Sequence, residues 1–122
     1  TVTRGPRPST VSAREWAHFG LVNELRQSGC TCGEVRYGPS APLKFDCRLW
    51  IAARLHSQDM ASNDYFSHTS QDGRSPWTRA EEAGLSANGE NIAAGRSDES
   101  AVLEQWKASP GHCRNVMNPA FR

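Results

Sequence analysis

Apolar side chains recur at helical spacing in four stretches of the chain. Trp16, Phe19, Val22 and Leu25 follow at intervals of three, so one face of the first stretch is apolar. Ser12 stands where an N-cap belongs and Gly29 where a helix stops, which predicts a helix from about residue 13 to 27. In the second stretch Leu49, Ala52, Ala53, His56 and Met60 share a face behind a capping Asp46, with Cys47 in the first turn and Leu43 and Phe45 pinning the entrance. Tyr65-Phe66-Ser67-His68 follows as a short aromatic run that ends in a turn at Asp72-Gly73, so a packed helix carries His68 to the edge of a loop.

Ser75-Pro76 opens a third helix, since proline sits well at the first helical position. Trp77 and Ala80 are expected to face inward and Gly84 to stop it. Asn88-Gly89 reads as a turn and residues 90–95 as a short strand bounded by glycines. Ser97 or Asp98 caps a fourth helix with Val102, Leu103 and Trp106 on its buried side, and Glu99 complements its N-terminal dipole. Ser109-Pro110-Gly111 is expected to end that helix, leaving His112 and Cys113 in a tight segment that runs to Met117. Residues 29–42, interrupted by Gly33, Gly38, Pro39 and Pro42, read as loop. Residues 1–11 hold little that is apolar and read as a flexible leader to one domain over residues 12–122.

Charge narrows the function classes. The 122 residues carry 14 basic and 13 acidic groups, and the arginines are scattered, so the basic stripe that nucleic acid requires is missing. No apolar run approaches the roughly 20 residues of a transmembrane segment. The chain opens at Thr1 without the charged and apolar regions of a signal peptide, so an exported product would be a mature or trimmed form. The four cysteines, Cys30, Cys32, Cys47 and Cys113, are too unevenly spaced for a zinc site and favour two disulfides formed in an oxidising compartment.

His68, Glu90 and His112 are the groups whose convergence would make a site: two imidazoles and a carboxylate bind a divalent metal or serve acid–base chemistry. Spacing alone does not bring them together. His56 lies on an apolar helix face and reads as a packed, hydrogen-bonded core residue, and His18 as a partly exposed helix residue.

HSQDMASNDYFSHTSQDGRSPW, AGLSANGENIAAG and QWKASPGHCRNVMNPAFR occur in this order and at these separations. Together they resemble the bacterial, SCP-like branch of the CAP superfamily of cysteine-rich secretory, antigen 5 and pathogenesis-related 1 proteins, from about Trp16 to Arg122. The resemblance implies an α+β fold, an α-β-α sandwich, and a surface groove. His68 matches the first cavity histidine, Glu90 the first glutamate and His112 the second histidine. The pair His68 and His112 is expected to hold a divalent cation, zinc or magnesium, with the acid orienting water. Ser109 stands at the groove position where eukaryotic relatives carry a second glutamate, which removes a negative charge. The resemblance also implies the disulfide Cys32–Cys113, leaving Cys30 and Cys47 to each other.

Relatives continue past NPAFR with further strands. Their absence here predicts a helix-dominated, C-terminally truncated form with an unpaired sheet edge, a fragment or a chain completed by self-association. The function implied is that of a secreted module, extracellular or periplasmic, binding a lipid, protein or cell-wall component. The alternatives are a metal-dependent or serine-type hydrolase, with Ser67, Ser70 and Ser109 near the histidines in sequence, and a disulfide-stabilised structural domain without activity. A polar network that merely ties layers together competes with the groove reading.

Overall fold

A computed structural model describes residues 7–95 and 98–122. Ser97 therefore lies outside the described residues, as do residues 1–6 of the expected leader. The chain divides into two compact units, one of residues 1–44 with 95–122 and one of residues 45–94.

The first unit is built on α1 (Ala13–Ser28). Its start is a full capping box: Ser12 Oγ accepts from the Glu15 N–H while Glu15 accepts from the Ser12 N–H at 2.9 Å. Its end is Gly29, held at φ 83°, where a Cβ would stand 2.8 Å from the Tyr37 carbonyl oxygen, so only glycine fits. Behind it β1 (Cys30–Cys32) and β2 (Val35–Tyr37) pair antiparallel, with Cys32 opposite Val35. This hairpin replaces the expected loop. The glycines and prolines that suggested a loop lie at its turn and beyond its end, while C-x-C and V-x-Y supply the alternation of a short strand pair.

Asp98 caps α4 (Glu99–Ala108) by accepting from the Ala101 N–H. Pro110 then begins α5 (Pro110–Met117) where a tight non-helical segment was expected. Proline forbids continuation of α4, yet it is well suited to the first position of a new helix. The core gathers Val22 of α1, Cys30 and Cys32 of β1, Leu103 of α4, and Cys113, Val116 and Met117 of α5. Cys32 and Cys113 form a disulfide that ties the hairpin to α5. Val11, at the end of the expected leader, is 1% exposed.

Two polar residues of α1 are buried with that core. Asn23 clamps Leu43 through both its amide groups, at 2.7 and 3.1 Å. Arg26, fully buried, donates to the carbonyls of Ala41, Val116, Asn118 and Phe121. Its one guanidinium closes the backbone of the C-terminal segment.

The second unit holds α2 (Cys47–Asn63) and α3 (Pro76–Glu82). Asp46 caps α2 through the N–H groups of Arg48 and Leu49, and those bonds, the Arg48 backbone first, hold its carboxyl below the usual range. Asp64, left-handed at φ 53°, ends the helix. His56 and Met60 face inward as expected, whereas Leu49, Ile51 and Leu55 lie exposed. Ser75 caps α3. Ala80 is buried but Trp77 is 46% exposed, against the expectation that it faces inward, because one buried position in this seven-residue helix is taken by Arg79. Residues 90–95 form no strand: a strand exists only in a ladder, and the one sheet among the described residues is β1–β2.

Candidate functional site

His68 and Glu90, 22 positions apart, meet in the second unit: His68 Nδ1 lies 2.8 Å from Glu90 Oε1. A carboxylate only accepts, so Nδ1 carries the proton and, in the neutral ring, Nε2 keeps its lone pair. The imidazole is half exposed and the carboxylate mostly covered. Glu90's other oxygen accepts from Arg79 Nη2 at 2.7 Å. Arg79, its side chain 6% exposed, also donates from Nη1 to Ser70 Oγ at 2.8 Å and to the Arg74 carbonyl at 3.0 Å.

The loop between α2 and α3 supplies this arrangement. Ser70 N–H donates to the Arg74 carbonyl and Gly73 N–H to that of Ser70, closing the turn that the Asp72-Gly73 pair predicted. Gly73 sits at φ 91°. Asp72 binds the Arg74 side chain and N–H, which lowers its carboxyl pKa, the backbone bond contributing most. Arg74 is raised in turn by Glu82 first and then Asp72. His56, buried, lies 2.8 Å through Nε2 from the Ser67 carbonyl, one residue before His68. The core reading of His56 thus acquires a purpose: it fixes the backbone that presents His68. Tyr65 donates its hydroxyl to Asp59, and that bond with the carboxylate's charge pushes the phenol pKa up. A cavity of about 440 Å³ between α2 and α3 reaches His56, Asp59, Ser70 and Arg79 below the exposed Ile51 and Leu55.

His112 and Ser109 belong to the first unit. Ser109 joins α4 to α5, its carbonyl accepting from the Cys113 N–H at 2.8 Å. His112, in the first turn of α5, packs against Trp106 with ring centroids 6.3 Å apart. Trp106 also meets His18 edge-on at 4.9 Å. Burial lowers the pKa of His18 despite the opposing pull of Glu99. Glu99 is lowered by its own backbone N–H, with Arg14 at 2.8 Å adding to it.

The donor chemistry around His68 fits a cation only in part. Glu90 has both oxygens engaged, one by His68 and one by Arg79. It orients the ring and is spent as a direct ligand, an arrangement common behind metal-bound imidazoles. His68 Nε2 is the donor the second unit offers. Sequence reasoning placed His68 and Glu90 and named Ser70 only as a hydroxyl near the histidines, but missed Arg79 and Asp59. Arg79 carries a sequence signal only in hindsight, as an arginine on the inward side of a short capped helix.

Of the expected disulfides, Cys32–Cys113 is formed and Cys30–Cys47 is not. Cys30 and Cys47 are both free: Cys30 is turned into the core of its own unit, its Sγ 3.9 Å from that of Cys113, while Cys47 is exposed on the first turn of α2.

Residues 19–122 match the family model of the cysteine-rich secretory protein family, CAP. The uncharacterized protein YkwD of Bacillus subtilis is 37% identical over 99% of this chain and 44% of its own length. The uncharacterized membrane protein YlbC of the same organism is 34% identical over 94% of this chain and 34% of its own. The chain thus spans less than half the length of these relatives. An extracellular SCP-domain protein of Bacillus anthracis, solved by crystallography, superposes with a TM-score of 0.73 at 30% identity, over 94% of this chain and 38% of that one. The helices and small hairpin agree with an α+β fold of this type. With its motifs, its fold and its relatives in accord, the chain belongs to the cysteine-rich secretory protein, or CAP, family.

Proposed function

We propose that this CAP domain is an extracellular binding module in which His68 is a ligand for a divalent cation, zinc or magnesium. The observation that carries the reading is the chain Arg79–Glu90–His68. It fixes the ring, assigns the proton to Nδ1 and leaves Nε2 as a ligand atom at a half-exposed position. His112, the second imidazole of the family motif, and Ser109 belong to the first unit. A bound cation would supply a positive charge that attracts an anionic or carbonyl group of a lipid, protein or cell-wall ligand. The extracellular SCP-domain relative and the disulfide support an oxidising, external location. Among the described residues no helix is long and apolar enough to cross a membrane.

The hydrolase alternative has less support from the hydroxyls near His68. Ser70 is buried on Arg79, and Ser67 Oγ accepts from the Thr69 N–H. Calorimetric titration of zinc and magnesium into wild type, His68→Ala, His112→Ala and Glu90→Gln tests the proposal, alongside a peptidase and peptidoglycan digestion panel. His68→Ala is expected to abolish binding, and Glu90→Gln to weaken it about 10–100-fold. Unchanged affinity in His68→Ala refutes the cation site. Metal-stimulated turnover lost in that variant replaces the module with an enzyme.

A further inference from the structure

The free thiol of Cys30 shares a buried pocket with the disulfide of its own unit. Cys30 and Cys32 stand two residues apart on β1 and so point to the same face. The sulfurs of Cys30, Cys32 and Cys113 all lie within 4.8 Å of one another, and Cys30 Sγ is 3.9 Å from Cys113 Sγ. Cys30 is 9% exposed, Cys32 1% and Cys113 0%. Thiols from outside are therefore shut off from the bridge, while one thiol is permanently walled in beside it.

We propose that these three cysteines form an internal thiol–disulfide exchange site, in which Cys113 alternates between Cys32 and Cys30. In the exchange the Cys30 thiolate attacks Cys113 Sγ. The Cys30–Cys113 bond forms as the Cys32–Cys113 bond breaks, and its electron pair leaves on Cys32 as thiolate. Cys32 then takes up a proton equivalent to the one Cys30 released. One disulfide and one thiol stand on each side, so neither oxidant nor reductant is consumed. Attack falls on Cys113, 3.9 Å from Cys30 Sγ, after the Cys30 side chain turns until its Sγ is in line with the Cys113–Cys32 bond. A Cys30–Cys32 bridge would instead have to join same-face neighbours of one extended strand, whose Cα separation of about 6.6 Å lies at the limit for a disulfide.

Both isomers keep the hairpin tied to α5. They differ in where: the anchor of Cys113 moves two residues along β1. Because Cys113 follows His112 directly in the first turn of α5, the exchange changes the tether of the turn that bears that histidine. The site is a switch in the attachment of α5, reversible without any redox partner.

The test uses the whole chain with the exposed Cys47→Ser, so that no other thiol takes part. Folded protein is held in mildly alkaline buffer, quenched in acid, unfolded, alkylated and mapped without reduction. The label is expected to shift from Cys30 alone to a mixture of Cys30 and Cys32, with a matching Cys30–Cys113 peptide. Label confined to Cys30 after prolonged incubation overturns the proposal. A second variant adds Cys32→Ser and is refolded from the reduced, unfolded chain in the presence of glutathione disulfide, which reaches the thiols before they are buried. A Cys30–Cys113 bridge and loss of both free thiols are expected; two free thiols in a chain that retains its native circular dichroism overturn it. Should that variant fail to fold, the label distribution in the first chain decides.

Discussion

Replacing Arg26 with methionine removes a buried cation and keeps a side chain of similar length. In the folded protein the guanidinium is 0% exposed and reaches four carbonyl oxygens at 2.7 to 3.0 Å. Burial, with the nearby charge of Arg122, lowers its pKa, so the fold penalises the charge and the hydrogen bonds must outweigh that penalty. In Arg26→Met the penalty is relieved, but the Val116 carbonyl loses its partner in a buried place, at a cost of about 1–3 kcal/mol. The other three carbonyls are partly buried and recover water incompletely. A net loss of about 1–3 kcal/mol is expected, set by the acceptors left unpaired once the charge penalty is gone. Urea unfolding followed by tryptophan fluorescence reads it: with a slope of about 2 kcal/mol per M, the midpoint falls by roughly 0.5–1.5 M. Arg26→Lys, which cannot span four acceptors, should fall between. A loss below about 1 kcal/mol in Arg26→Met, at unchanged slope, refutes the view that this guanidinium holds the C-terminal segment.

Burial places the folded-state pKa of His18 below its ordinary 6.5, so the unfolded chain binds the proton more readily. Its contribution to stability is complete above about pH 6.5 and lost as pH falls through the folded value; denaturation midpoints measured between pH 7.5 and pH 5 should fall more in wild type than in His18→Gln. Equal slopes would remove His18 from the account. Ser12→Ala takes away half of the α1 capping box and should cost about 1 kcal/mol in thermal or urea unfolding. Reducing Cys32–Cys113, whose ends are 81 residues apart, should cost about 4.5 kcal/mol by loop-closure entropy, read as the difference between unfolding curves with and without dithiothreitol.

Local signals survived intact into the structure. Ser12, Asp46, Ser75 and Asp98 cap the helices whose beginnings they marked, because a cap is a bond between residues two or three apart. The proline of Ser109-Pro110 was ambiguous, since it ends one helix and starts another with equal ease. Trp77 misled because an apolar side chain in a short helix says nothing about which face is covered. Cys30 did as well: counting cysteines gives pairs, whereas proximity of sulfurs is decided by how the hairpin packs on α5.

By itself the sequence determined the starts of α1 to α4, the turn before α3, the family, and which side chains are candidates for chemistry. Tertiary structure alone decided that Arg79 anchors Glu90, that Glu90 in turn holds His68, and that Arg26 rather than an apolar residue fills the space beneath the C-terminal carbonyls. The division follows range. Caps and periodicities act across a few residues of chain, while a guanidinium's acceptors, three of them 90 or more positions away for Arg26, exist only once the chain has folded.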